Sequence, residues 1–318
     1  MQERHSTVDQ LSPQTPLGAK KMSGQGEISN ASKVVTSLIA GAVAGGLAKT
    51  IIAPLDRTKI NFQIKNIPFS FYEAYKFIVI SYKESGFTSL WRGNSATMAR
   101  VLPYAAIQYS SHEQFKRLLS VETNEDKRKH PIRSYVAGSL AGVVSTSLTY
   151  PLDLARARMA VTHREKYNSL GAVFRKTIKR EGPGAVYKGY LPTILGVIPY
   201  AGTSFFTYET LKRLHHEHFG PLDPNPLERL VFGAIAGLFG QSASYPLDIV
   251  RRRMQTQQGS MTITGVLKKV LVEEGIIHGL YKGLSLNWIK GPIAVGVSFT
   301  TFDLVSKFLR NLSFFTDF

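Results

Sequence analysis

One tripeptide constrains this chain more than any other feature. Pro-Leu-Asp occurs at Pro54-Leu55-Asp56, Pro151-Leu152-Asp153 and Pro246-Leu247-Asp248, at spacings of 97 and 95 residues. Each copy is followed at the same offset by a cation, Lys59, Arg156 or Arg251. Three more series keep the register. Glycine pairs recur upstream at Gly41/Gly45, Gly138/Gly142 and Gly233/Gly237. Downstream come Trp91-Arg92-Gly93, Tyr187-Lys188-Gly189 and Tyr281-Lys282-Gly283, and then Glu113, Glu209 and Asp303. Self-similarity at a fixed period marks repeated structural units, so the chain is a tandem triplicate.

Each unit holds two long apolar stretches. Residues 134–152, 189–208 and 230–247 carry no charge, while 34–55, 93–111 and 283–302 are each interrupted by one cation: Lys49, Arg100 or Lys290. These reach the roughly 20 residues that a helix needs to cross a bilayer. Their Gly, Ala, Ser and Thr content suits close helix packing in lipid, with the paired glycines letting backbones approach. An α-solenoid has much shorter repeats. The expected fold is therefore an all-α membrane protein with six transmembrane helices in three tandem repeats and threefold pseudosymmetry. Mixed segments at 69–83, 169–180 and 262–272 read as short helices on the membrane surface, or else as plain connectors. The repeats are placed at 34–120, 132–216 and 227–312. Residues 1–33 are a polar tail expected to be disordered, with no apolar core of secretory-signal length. Charged, proline-containing linkers occupy 121–131 and 216–226.

Composition narrows the partner. A net charge of +17 calls for an acidic one: nucleic acid, anionic lipid or a polyanionic small substrate. A soluble nucleic-acid binder leaves the uncharged spans unexplained, and its cations would be clustered rather than dispersed, so no nucleic acid is expected. The lack of cysteine removes disulfides and thiolate chemistry. No phosphate-binding loop or recurring Ser/His/Asp set is present, so the chain is not expected to be an enzyme or to carry a cofactor. His215, His216 and His218 lie beside Glu217, but a short His-rich tract is only compositional evidence for a metal.

Charges at membrane depth are costly and need partners or a wet cavity. Asp56, Asp153 and Asp248 follow helix-kinking prolines, and Lys59, Arg156 and Arg251 lie one turn later. A threefold bundle can close one end with three ion pairs, each Asp meeting another unit's cation. Glu113, Glu209 and Asp303, with Lys116 and Lys212, form a second ring for the opposite mouth. Two breakable rings are what alternating access requires. The charges that break the symmetry say more about cargo. Arg100, Gly196 and Lys290 share one depth, and Lys49 lies seven residues before Asp56. Lys49, Arg100 and Lys290 converge near mid-membrane with no acid assigned to them, which calls for an anionic substrate. Arg100 offers bidentate recognition of phosphate, the lysines mobile point charges. Gly196 leaves space on the third wall, and Tyr200 offers either an aromatic face for a base or ordinary packing.

From about residue 34 to 312 the chain resembles the mitochondrial carrier family, whose signature Pro-x-Asp/Glu-x-x-Lys/Arg it matches three times. The resemblance implies a six-helix barrel in the inner membrane, both termini toward the intermembrane space, and one central substrate site. It implies matrix-side pairs Asp56–Arg156, Asp153–Arg251 and Asp248–Lys59, braced by glutamines at Gln63 and Gln255, with Ala160 at the third brace position. Ser85 replaces the acid found at Glu181 and Glu274. At the intermembrane side, Tyr208-Glu209 with Lys212 fits the family pattern, whereas Asp303 is followed by Ser306 rather than a cation, so that ring is expected to be weaker. Arg100, Gly196-Val197 and Lys290 match substrate contact points of adenine-nucleotide and related carriers. Lys49 matches a phosphate-contacting lysine, and the run Arg251–Gln255 lacks the methionine triplet of ADP/ATP carriers. Within the family the segments Trp91–Thr97, Ile198–Gly202 and Gly291–Ala294 are most similar to carriers of coenzyme A. That resemblance implies antiport of coenzyme A against adenine nucleotides such as ADP and adenosine 3′,5′-diphosphate, with ATP/ADP exchange as the alternative. It further implies inner-membrane lipid, cardiolipin included, as a partner, and a monomer. A channel would share the fold but lack obligatory exchange.

Overall fold

A computed structural model describes residues 30–163, 165–220, 224–257, 259 and 261–311. Most of the tail at 1–33 lies outside the described residues, but α1 already begins at Asn30. The first repeat comprises α1 (Asn30–Ile64), α2 (Phe71–Ser85) and α3 (Asn94–Leu118). A short helix, α4 (Asn124–Lys129), leads to α5 (Pro131–Ala160) and α6 (Leu170–Glu181) of the second. Its last span is split into α7 (Tyr190–Leu195) and α8 (Val197–Phe219). The third has α9 (Pro226–Thr256), α10 (Ile263–Glu274) and α11 (Leu284–Arg310).

The long helices form a closed ring. α3 packs along α5, α8 along α9, and α11 returns to α1. Helices α1, α5 and α9 also meet one another. Large apolar residues face outward, Leu38, Leu102, Leu148, Phe206, Phe239 and Phe299 among them, which is the inverse of a soluble protein and suits a lipid surround. By length and hydropathy, three helical segments among the described residues, Val35–Ile64, Pro226–Thr256 and Ile276–Arg310, suffice to cross a membrane. The other spans are more polar, and α5 shows how that polarity is hidden. Ser145, Ser147 and Thr149 each donate to the carbonyl four residues back, at 2.7 Å.

The paired glycines do not bring backbones together as expected. A Cβ built at Gly41, Gly45, Gly233 or Gly237 would meet nothing within 4 Å. The tight stripe lies one residue earlier, where Ala40, Ala44, Ala137, Ala141 and Ala236 are buried. Its closest approach is Gly240, where a Cβ would fall 2.7 Å from the Tyr200 carbonyl oxygen.

Local chemistry repeats with the sequence. Ser70, Ser169 and Thr262 accept from the backbone N–H three residues on and so start α2, α6 and α10. Gly86, Gly182 and Gly275 end those helices at φ of 75–85°. Two elements fall inside segments expected to be linkers. Thr123 and Asp126 form a capping box that starts α4, and α8 runs on to Phe219. His215 therefore sits on a helix, 3.2 Å from the Glu228 carboxylate and against Phe219 and Phe232. The break before α8 also has a local cause, since Pro192 and Pro199 flank Gly196.

Candidate substrate site and gate

The prolines place Asp56, Asp153 and Asp248 at one end of the ring, where α1, α5 and α9 converge. Arg156 donates to Asp56, Arg251 to Asp153 at 2.5 Å, and Lys59 to Asp248 at 2.8 Å. Each pair crosses between repeats, and all six side chains are largely buried. Two of the three are braced. Gln255 donates to Asp153 at 2.8 Å and to the Tyr150 hydroxyl at 3.0 Å. Gln63 donates to Asp248 at 3.0 Å and to the Tyr245 hydroxyl at 3.3 Å. Those hydroxyls donate onward to the Lys188 and Lys282 carbonyls. At the third position Ala53 and Ala160 replace Tyr and Gln, so the Asp56 pair lacks both supports.

The mid-membrane cations do have acids, contrary to the expectation. Arg100 Nη1 lies 3.1 Å from Asp153 Oδ1, while its Nε donates to Thr149 and its guanidinium covers the Tyr104 ring. Lys290 Nζ lies 2.9 Å from Asp56 Oδ1. Sequence depth alone missed this because these long side chains reach the ring carboxylates from a turn or more away. The pattern is itself threefold: position 100 reaches Asp153 and position 290 reaches Asp56. Glycine at 196 leaves Asp248 without the corresponding cation. Lys49 is solvent-accessible and makes no hydrogen bond among the described residues, but it lies close enough to feel the charges of Asp56, Lys290, Arg156 and Arg100.

Above the ring lies a cavity of about 360 Å³ lined by Arg100, Gly196, Val197, Tyr200, Asp248 and Lys290, among others. Thr146 and Gln241, which occupy the Lys49 position in the other repeats, line it too. Gly196 itself is not where the room is. A Cβ there would sit 3.1 Å from the Pro192 oxygen and 3.7 Å from Leu247 Cβ. The free space lies beside Asp248, where a long side chain at 196 would have ended.

Sequence reasoning missed one cation here. Arg252 lines the cavity, is buried, donates to Gln255 Oε1 at 2.9 Å, and lies 3.4 Å from Asp153 and 3.9 Å from Asp248. Its Nε is sealed without a hydrogen-bond partner. The signal was available: four residues after the motif aspartate the repeats read Ile60, Ala157 and Arg252, another break in symmetry.

The opposite end is not closed in the same way. Lys116 pairs with Glu113 at 2.5 Å, but within one helix. Among the described residues, Glu209, Lys212 and Asp303 make no interhelical ion pair, and Ser306 is buried with its hydroxyl unpartnered. The protein is thus sealed at the aspartate ring and open at the other end.

Comparison with known proteins fits this geometry. The family model described as "Mitochondrial carrier protein" matches three times, at residues 30–123, 127–219 and 223–313. The mitochondrial coenzyme A transporter SLC25A42 of Xenopus tropicalis is 57% identical over 293 residues, covering 91% of this chain and 90% of that protein. The human protein of the same name is 57% identical over 285 residues, covering 88% and 90%. The bovine mitochondrial adenyl nucleotide antiporter SLC25A24 is 36% identical over 282 residues, covering 86% of this chain and 58% of that protein. Three tandem matches and relatives along nearly the whole length, over a threefold ring of ion pairs, place the chain in the mitochondrial carrier family.

Proposed function

We propose that this protein is an antiporter of the mitochondrial inner membrane that brings coenzyme A into the matrix in exchange for adenine nucleotides such as ADP and adenosine 3′,5′-diphosphate. In this reading the aspartate ring faces the matrix, both termini face the intermembrane space, and the carrier works as a monomer among inner-membrane lipids such as cardiolipin. The observation that carries it is the double duty of Arg100 and Lys290, which border the cavity and also hold gate carboxylates. A polyphosphate entering from the open end competes with Asp153 and Asp56 for those two cations. At an effective dielectric near 20 each such contact amounts to about 4 kcal/mol before desolvation. Substrate binding therefore strips one cation from each of two gate pairs and lowers the barrier to opening. With no anion in the cavity both cations return to the gate and the end stays shut. Exchange rather than leak follows from this competition, and uncharged solutes gain no entry. Lys49 and Arg252 add positive charge to the same space, and Tyr200 offers a ring to an adenine.

The coenzyme A assignment is supported by the relatives named as coenzyme A transporters, and the bovine adenyl nucleotide antiporter favours ATP/ADP exchange as the second reading. The test is purified protein in liposomes loaded with ADP and offered labelled coenzyme A, ATP, phosphate and dicarboxylates. Coenzyme A uptake that depends on internal nucleotide is expected. ATP exchange without coenzyme A exchange would select the second reading, and uptake indifferent to internal nucleotide would make the protein a channel.

A further inference from the structure

The three repeats treat one position beside α2, α6 and α10 differently. In the second, Glu181 accepts from Arg158 through both guanidinium nitrogens, at 2.6 and 2.9 Å, and from Lys188 at 2.5 Å. In the third, Glu274 accepts from Arg253 through one guanidinium nitrogen and from Lys282. In the first, the three positions are Asn61, Ser85 and Arg92. The carboxylate is gone, yet positive charge has been kept. Arg57, one turn earlier on α1 where the other repeats have Leu154 and Ile249, is buried in this corner.

Arg57 Nε donates to the Ala160 carbonyl at 3.2 Å and its Nη1 to the Ser89 carbonyl at 2.5 Å. No carboxylate among the described residues pairs with it. Among the described residues its Nη2 makes no hydrogen bond. Arg57 lines a cavity of about 330 Å³ bounded by the end of α1, by α2 and by the turn at 161–163. Lys65, Lys76, Asn61, Ser85 and His163 line the cavity, with Phe77 beneath the guanidinium at 5.6 Å. A second cavity of about 290 Å³ adjoins it and shares Arg57, Ser85 and His163. A buried guanidinium with carbonyl partners only is poorly compensated, and the sibling repeats show what compensates it: one oxyanion held by two cations.

We propose that this corner of the first repeat binds a phosphate-type oxyanion of a soluble compound, in the place that Glu181 and Glu274 fill in the other two repeats. The rim favours a water-borne ligand over a lipid, because Glu73, Lys76 and Glu84 stand there as charged side chains. Glu73 is engaged by Lys76 at 4.0 Å, which reduces its repulsion of an anion. The site is separate from the central cavity and independent of the transport reading. Arg57 and Asn61 both donate to the Ala160 carbonyl of the second repeat, so a bound anion would steady the seam between the first two repeats at the gated end.

The test is thermal unfolding of the full chain in neutral-lipid nanodiscs, with inorganic phosphate as the probe. At ten times its dissociation constant phosphate is expected to raise the Tm by about 2 °C. The rise should persist in the Arg100→Met/Lys290→Met double variant, whose central site is disabled, and vanish in Arg57→Gln. Ser85→Glu supplies the missing carboxylate from within, so it should raise the ligand-free Tm and abolish the phosphate response, which keeps the test decisive if Arg57→Gln fails to fold. A phosphate response that persists in Ser85→Glu or is lost in the double variant overturns the site. A shift given by anionic lipid in the nanodisc but not by phosphate, and lost on Ser85→Glu, overturns the soluble ligand in favour of a headgroup.

Discussion

Arg100 and Lys290 look interchangeable by position, yet the structure makes the gate depend on them unequally. Both side chains are 23% exposed, so each starts from the same access to solvent. Their acceptors differ. Asp153 also receives Arg251, Arg252 and Gln255, whereas among the described residues Asp56 receives only Arg156 besides Lys290, with Ala53 and Ala160 at the tyrosine and glutamine positions. Replacing either cation with methionine keeps most of the apolar stem and removes the charge. Stripping a buried carboxylate of its whole partnership costs roughly 3–5 kcal/mol. Lys290→Met removes half of Asp56's cations, so about 2 kcal/mol of closed-state stability is expected to go. Arg100→Met leaves Asp153 three donors and is expected to cost about 1 kcal/mol. Asp153 is the more buried of the two, 2% against 11%, which works against this order, but three remaining donors outweigh it. A difference of about 1 kcal/mol is roughly fivefold in the closed-to-open ratio and about 1.5 °C in Tm for a chain of this length. The assay is thermal unfolding of the substrate-free proteins, followed by the stabilisation each gains from coenzyme A or ADP. Lys290→Met should unfold at the lower temperature, and both should lose most of the ligand-induced rise. An equal or larger drop for Arg100→Met would refute the bracing argument while leaving the substrate site standing.

Three other outcomes follow from the geometry. Arg252→Gln removes a cavity cation, so exchange at subsaturating substrate should fall about tenfold, the size of one partly desolvated charge contact; liposome exchange rates check it. Gly189 has φ of 80° and its Cβ would fall 2.9 Å from the Arg251 carbonyl, so Gly189→Ala should cost about 2–3 kcal/mol, seen as a drop in Tm. Burial raises the pKa of Glu181, but the hydrogen bonds and charges of Arg158 and Lys188 outweigh that and hold its carboxyl below the usual value of 4.5. A carboxylate with a lowered folded-state pKa contributes stability that is present above its unfolded pKa and lost as the pH falls through the folded one. Wild-type Tm should therefore decline as the pH drops below about 4.3, and Glu181→Gln should flatten that decline.

The sequence carried two kinds of information, and they failed differently. Where the repeats agree, the residues report the fold: three Pro-Leu-Asp kinks and the three glycines 93, 189 and 283, left-handed in the structure, were visible as periodic signals. What agreement hid was side-chain reach and helix face. The glycine pairs looked like the packing stripe, but a one-residue shift on a helix is a turn of 100°, and alanines hold the contact instead. Where the repeats disagree, the residues mark the proposed site, and the miss there came from incomplete counting. Lys49, Arg100, Gly196 and Lys290 were found by asking which charges lack siblings. Applied to every position, the same question also returns Arg252 beside the gate and Arg57 beside Ser85. The ring in turn explains why asymmetry is needed. Three identical cations at 100, 196 and 290 would satisfy all three aspartates and leave a gate with no reason to yield. In the proposed transport reading, a glycine at 196 leaves Asp248 short of one partner and opens room on that wall, so an entering anion would meet two cations to capture and a gap for its bulk.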